Sequence, residues 1–259
     1  VVLQNMRPGQ VTALGLDAAT LRARKPALVY CNLGAFGARG PLRQRPGYDP
    51  LMQAFSGIMS VVGEPGAAPV RVGPSIVDMG AGMWACLGIV SALLRRAQGG
   101  DGCEIDVSLF ETAAGWMNIY SAQFLASGQL PGRNGSGQAG IAPYRAYRTQ
   151  DGDLVVAAGN DGLFRKLCQA IGLPALADDP RYVDNPRRVA NAGPLYATLE
   201  ACFAGRSNTD WIAILDAAGV PNAPVQNTAD MLSHPQTAAL GLLQAVPGSS
   251  IPMIGLPIS

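Results

Sequence analysis

The sequence is short of histidine, of charge and of any bias in charge. A single histidine, His234, among 259 residues argues against a His-rich metal centre and against a Ser-His-Asp triad. Lys plus Arg number 19 against 18 Asp plus Glu, a formal net charge of +1. That balance gives no electrostatic footprint for nucleic acid or an anionic membrane, so neither is expected as a partner. Charged residues make up 14% of the chain, roughly half the usual share, so part of its uncharged surface is expected to be covered by another chain. The five cysteines are odd in number, widely spaced and contain no C-x-x-C, which argues against a disulfide framework or a zinc site. They read as buried, reduced thiols, and the expected location is the cytoplasm. No metal is expected.

What is present is an apolar content of 48%, normal for a folded globular protein. The apolar run Met79–Leu94 reads as too short to cross a membrane. Val1–Leu3 and Ala27–Cys31 read as strands with a helix over Leu14–Ala23 between them, the pattern of a parallel α/β sheet. A helix is expected over Leu51–Val62. Another, apolar on all sides and therefore expected to be central and buried, covers Gly80–Leu94 and is stopped by Gly99-Gly100-Asp101-Gly102. Glu104–Ser108 reads as a strand and Glu111–Leu125 as a helix.

The composition changes at Ala126, and 127–140 has the residues of a linker or mobile loop. A second module follows. Tyr144–Thr149 and Leu154–Ala158 flank Gln150-Asp151-Gly152-Asp153, a hairpin signal. Asn160 is placed to cap a helix ending near Ala170. Leu173–Asn191 reads as loop, helices are expected over Leu195–Phe203 and Thr209–Ala218, and the rest reads as a return segment. The expected division is a large domain over 1–125, a linker and small domain over 126–228, and a return toward the large domain over 229–259. The opening Val1-Val2-Leu3 and the ending Pro257-Ile258-Ser259 both look cut, as in a fragment of a longer chain.

Several residues could carry chemistry. Asp78 lies at the start of the long apolar helix, where a carboxylate can cap the helix or, facing a cleft, act as nucleophile or base. Arg39, Arg43 and Arg45, among glycines and prolines, could pair with phosphates or belong to a solvated loop. Gly135-Ser136-Gly137-Gln138 could form a lid over a ligand or a plain linker. Extended to Gly140 it matches G-x-G-x-x-G by letter, but no strand precedes it and Pro143 follows where a helix should open, which argues against a dinucleotide site. His234, in a polar loop before Pro235, reads as structural.

In order and spacing these segments resemble the class III CoA-transferase, or CaiB/BaiF, family. Asn5-Met6-Arg7-Pro8-Gly9 is similar to its N-F-R-P-G turn, with Met for Phe. Arg45-Pro46-Gly47-Tyr48-Asp49 is similar to its R-P-G-Y-D motif, and Asp78 before a small-residue helix, Ile105-Asp106-Val107-Ser108 and Ile141-Ala142-Pro143-Tyr144 follow as in the family. The resemblance implies an α/β fold with a Rossmann-like large domain, a smaller α/β domain and two chains interlocked as a homodimer. By analogy with the family's layout, the sequence lacks roughly ninety N-terminal residues.

The resemblance also implies a chemistry. No cofactor is held permanently, and the substrates are an acyl-CoA and a small carboxylic acid. Asp78 takes the position of the nucleophilic aspartate. Its helix N-terminus is expected to hold it ionised and to offer free N–H groups to a developing oxyanion. Asn5, Met6, Arg7, Arg45 and Tyr48 fall on or beside CoA-contacting positions, and Gly135, Ser136, Gly137 and Gln138 on a glycine-rich loop over the substrate. Ala13 stands where some members carry a phosphate-contacting Arg. Two other readings stay open: a 2-methylacyl-CoA racemase on the same scaffold, and a non-catalytic CoA-binding subunit. Racemases place a His where this sequence has Tyr48, and a phenol is a poor base near neutral pH.

Overall fold

The structure, a computed structural model, describes residues 1–258. It contains two compact units, divided after Gly135.

The first unit is built on three parallel strands in spatial order β1-β2-β3: β1 (Val2–Gln4), β2 (Tyr30–Gly34) and β3 (Glu104–Ser108). Leu3 pairs with Cys31, which pairs with Ile105. Parallel neighbours need crossovers, and helices supply them. Between β1 and β2 run α1 (Gln10–Ala13) and α2 (Ala18–Arg24). The expected single helix from Leu14 starts later, because Gly15 takes the left-handed conformation and Asp17 caps α2, its Oδ1 accepting from the Thr20 N–H at 2.9 Å. Strand β2 also begins later than expected. Leu28 turns back to the Lys25 carbonyl, and pairing runs on through polar Asn32 to Gly34, beyond the apolar run that signalled it.

Between β2 and β3 lie α3 (Asp49–Phe55), α4 (Ile58–Val61) and the long α5 (Ile76–Ala97). The expected helix over Leu51–Val62 is broken into α3 and α4 by Gly57, whose φ is +93°. After β3 come α6 (Leu109–Trp116) and α7 (Asn118–Ser127), where one helix was expected.

Helix α5 corrects two expectations. It has 22 residues and is long and apolar enough, by length and composition, to cross a membrane. Nor is it buried all round. Val77, Gly80, Ala81, Ala85 and Ala92 are buried, while Met79, Met83, Trp84, Leu87, Val90 and Leu94 are exposed. The inward face is made of small residues because α6 approaches closely: a Cβ on Gly80 would lie 2.8 Å from the Trp116 ring and 2.9 Å from Thr112 Cγ2. Gly80→Val is therefore expected to destabilise the protein by about 1–3 kcal/mol through overpacking, read as a lowered urea midpoint. An unchanged midpoint would mean that α5 and α6 separate freely. Two of the five free thiols, Cys31 and Cys168, are buried as expected; Cys86 on α5 is exposed.

The first unit extends past the composition change at Ala126. Helix α7 runs to Ser127, the Arg133 guanidinium donates to the Ala67 carbonyl, and the Gly135 N–H donates to the Gly63 carbonyl at 3.0 Å.

The second unit contains an antiparallel sheet, β4 (Tyr144–Arg148), β5 (Asp153–Ala157) and β6 (Asn222–Pro224), in that spatial order. The hairpin is in the expected place, with Arg148 opposite Asp153. Helices α8 (Asp161–Ala170), α9 (Asn185–Ala190), α10 (Ala192–Phe203) and α11 (Asn208–Ala218) accompany the sheet. The core joins Tyr147, Leu154 and Val156 to Phe164, Leu167, Leu199, Phe203 and Leu215. Asn160 caps α8 as expected, accepting from the Leu163 N–H at 2.8 Å.

The polar stretch Leu173–Asn191 is not all loop. It holds a 3-10 turn over Pro174–Ala177 and α9, which carries the fully buried Arg188. Helices α12 (Thr228–Ser233) and α13 (Pro235–Ala239) and the short strands β7 (Leu243–Gln244) and β8 (Met253–Ile254) follow, and they group with the second unit. His234 acts structurally between α12 and α13, its Nδ1 accepting from the Gln236 N–H at 3.1 Å.

Candidate functional site

The loops that follow β1 and β2 meet the first turn of α5 around a cavity of about 960 Å³ in the first unit. Asn5, Met6, Arg7, Arg45, Tyr48 and Asp78, separate in sequence, all line it. Gly135, in the same unit, is not among its lining residues. Gly135 sits beside the Glu64 carboxylate, where a Cβ would clash with Oε1. Ser136, Gly137 and Gln138 fall in the second unit, where Ser136 Oγ accepts from the Ala146 N–H at 3.0 Å and the Gln138 N–H donates to the Tyr144 carbonyl.

Other lining residues were not singled out as site residues by the sequence. Gln4, Asn32 and Asp106 occupy paired positions across β1, β2 and β3. Gln4 Nε2 donates to Asn32 Oδ1 at 2.7 Å, and Asn32 Nδ2 donates to Glu104 Oε1 at 2.8 Å and to Asp106 Oδ1 at 2.9 Å. Strand alternation could have put Glu104 and Asp106 on one face, but only the register places Asn32 between them. Of the three arginines in the loop after β2, Arg43 and Arg45 line the cavity and Arg39 does not. Arg7, Arg43 and Arg45 supply cationic forks suited to phosphate or carboxylate oxygens. The Arg45 guanidinium lies 5.9 Å from the Phe36 ring centre, which steadies it.

Asp78 is the third residue of α5 and is exposed to the cavity. It is not the helix cap. That role falls to Asp49, at the start of α3 and 1% exposed. Asp49 Oδ2 accepts from the N–H groups of Val77 at 2.8 Å and Asp78 at 3.2 Å, and its Oδ1 accepts from Gln53 Nε2 at 2.6 Å. The Ile76 and Met79 N–H groups bond to the carbonyls of Pro74 and Ser75. The expected supply of free N–H groups for an oxyanion is therefore already used within the protein.

Two influences on Asp78 act against the expected ionising effect of the helix end. Partial burial and then the nearby Asp49 carboxylate raise its pKa above that of an ordinary aspartate. The result is a carboxylate more basic than an ordinary aspartate, without a hydrogen-bonding partner for its oxygens among the described residues, opening on a cavity with three arginines. Such a group is equipped for nucleophilic attack on a carbonyl or for taking a proton.

The sequence model of CoA-transferase family III matches residues 1–259. The chain is 38% identical over 259 residues to the acetyl-CoA:oxalate CoA-transferase of Acetobacter aceti, covering 100% of this chain and 66% of that protein. It is 34% identical over 261 residues to the succinate–glutarate CoA-transferase of Agrobacterium fabrum, covering 100% of this chain and 65% of the relative. A CaiB/BaiF family protein from Brucella suis has a crystal structure that superposes with a TM-score of 0.87 at 37% identity, covering 100% of this chain and 68% of that one. The chain thus spans about two thirds or less of the length of these curated relatives. The family model spans the whole of the chain, and the α/β fold agrees with a solved member: this chain belongs to CoA-transferase family III, the CaiB/BaiF family.

Proposed function

We propose that the protein carrying this chain moves CoA from an acyl-CoA thioester to a carboxylic acid, with Asp78 as the covalent nucleophile. The observation that carries this reading is the Asp78 carboxylate, its oxygens without a hydrogen-bonding partner among the described residues, in one cavity with Arg7, Arg43 and Arg45. A carboxylate oxygen of Asp78 attacks the thioester carbonyl, and the C–S bond breaks as CoA leaves as thiolate. This gives a mixed anhydride between the acyl group and Asp78. The thiolate then attacks the aspartyl carbonyl, releasing the donor acid as carboxylate and leaving an aspartyl–CoA thioester. The acceptor carboxylate repeats the two steps in reverse. Covalent catalysis of this kind divides one difficult exchange into easier steps. The thiolate is already a good leaving group, and the cavity arginines hold the anionic CoA.

Relatives named for oxalate and for succinate with glutarate point to small dicarboxylic acids as donor and acceptor. The exposed apolar face of α5 supports an assembly in which another chain covers it, in keeping with the expected interlocked homodimer. Tyr48 at the cavity, in place of a His, counts against the racemase reading.

The test is intact-mass analysis after incubation with succinyl-CoA, followed by hydroxylamine and peptide mapping. A CoA-sized adduct on the Asp78 peptide, converted to a hydroxamate, is expected. No adduct, together with rapid solvent deuterium uptake at the α-carbon of a 2-methylacyl-CoA, would favour the racemase instead.

The pH dependence follows from the same geometry. Asp78 must be ionised to attack, and its pKa is raised. The rate of adduct formation is therefore expected to fall on acidification, and to begin falling at higher pH than for an ordinary aspartate, whose pKa is about 3.9. A rate that stays flat down to that range would show that Asp78 is not perturbed in the working enzyme.

A further inference from the structure

We infer that Asp49 is a positioning residue for the reaction: its buried carboxylate clamps the first turn of α5, fixing the place of Asp78 and setting a second carboxylate beside it. The inference rests on Asp78 being the nucleophile.

Asp49 and Asp78 are 29 residues apart, on α3 and α5, yet one oxygen of Asp49 receives both the Val77 and the Asp78 backbone N–H. Its other oxygen is held by Gln53 Nε2, and Gln53 Oε1 is itself fixed by the Val72 N–H at 2.9 Å. Asp49 and Gln53 are 1% and 0% exposed. This chain of bonds ties α3, the segment before α5, and α5 together behind the nucleophile. A buried carboxylate facing two backbone N–H groups at a helix start is well satisfied without a cation. An uncharged acceptor would satisfy the same N–H groups, so capping alone does not require a charge there.

The charge acts on Asp78. The helix end would by itself favour an ionised Asp78 of low basicity. Partial burial first, and then this second carboxylate against the same turn, raise the Asp78 pKa above that of an ordinary aspartate. Other ionisable groups face the cavity. Arg7, Arg43 and Arg45 come from the loops after β1 and β2, Tyr48 from the residue before α3, and Glu104 and Asp106 from β3. On α6, Glu111 accepts from Ser108 Oγ at 2.5 Å. Asp49 differs from all of these in being buried and bonded to the backbone of Asp78 itself.

The experiment compares the whole protein with its Asp49→Asn variant, following hydroxylamine-trapped Asp78 adduct from succinyl-CoA across pH. The asparagine carbonyl can still accept from Val77 and Asp78, so those two bonds are kept and the charge is lost, while its Nδ2 no longer accepts from Gln53 Nε2 and the clamp loosens on that side. The expected result is an acid limb displaced to lower pH and adduct formation near neutral pH slowed by about ten- to hundredfold. An unchanged limb and an unchanged rate would overturn the inference and leave Asp49 a structural cap only. If the asparagine variant does not fold, Asp49→Glu keeps the charge while its longer arm displaces the clamp. The limb should then stay near the parent position while the rate falls, and a full rate would overturn the inference. Absence of any adduct on Asp78 in the parent protein would instead overturn the nucleophile assignment, so the two failures are distinguishable.

Discussion

An Asp78→Ala variant is expected to lose CoA transfer by about 10⁴-fold or more, as is usual when a covalent nucleophile is removed, and to form no hydroxylamine-sensitive adduct. The structure predicts that this loss comes without unfolding. Asp78 is exposed to the cavity, does not cap α5, and lies beside a second carboxylate. Removing it takes away no cap and relieves a like-charge contact, so stability should stay within about 0.5 kcal/mol of the parent. Transfer assays, mass mapping and urea unfolding on one preparation check all three points. Full transfer activity in the variant would remove Asp78 from the mechanism and place the nucleophile on another residue or another chain.

Arg188→Ala is expected to have the largest effect on stability. The Arg188 side chain is fully buried in the second unit. It donates to the carbonyls of Ala142 at 2.7 Å, Gly159 at 3.0 Å and Tyr182 at 3.1 Å, and to Asp161 Oδ1 at 2.8 Å. The Phe164 ring lies 4.7 Å from its guanidinium carbon. The Asp161 side chain is 62% exposed, so the ion pair itself contributes little. The three carbonyls decide the effect. Each loses its donor, at Ala142 and Tyr182 in buried residues and at Gly159 in a half-buried one, and together they should cost about 3–5 kcal/mol. Amide exchange across β4–β6 should accelerate accordingly. Arg187→Ala is the control: that side chain is 58% exposed and paired only with its near neighbour Asp184, and its loss should cost under about 0.5 kcal/mol. Equal effects of the two variants would show that water replaces the guanidinium at the Ala142 and Gly159 carbonyls.

The two predictions differ in how much of their basis could be read without coordinates. Asp78 was visible from its place before a small-residue helix and from the family motifs around it. Its surroundings were not. The sequence reading made it a possible cap of its own helix, with free N–H groups at hand, whereas Asp49 occupies the Val77 and Asp78 N–H groups. Asp49 itself sits in a legible motif, yet a first-turn acid followed by Pro50 signals only the start of its own helix. Nothing local shows that its side chain caps another helix. Arg188 was read as part of a polar loop, because burial of an arginine depends on carbonyls contributed from residues 142, 159 and 182.

What the sequence determined by itself is what neighbours in the chain decide. Asn160 caps the helix that follows it, and Asp151-Gly152 turns the hairpin. Glu104–Ser108 is a strand with the bounds its pattern gives, and motif order identifies the family. The tertiary structure alone decided which face of α5 is covered, how far β2 pairs beyond its apolar run, that Asn32 bridges Glu104 and Asp106, and that Asp49 clamps the turn bearing Asp78. The physical reason is range. Caps, turns and alternation are settled by hydrogen bonds and sterics within a few residues, while burial, register and the basicity of a carboxylate depend on groups that only folding brings together.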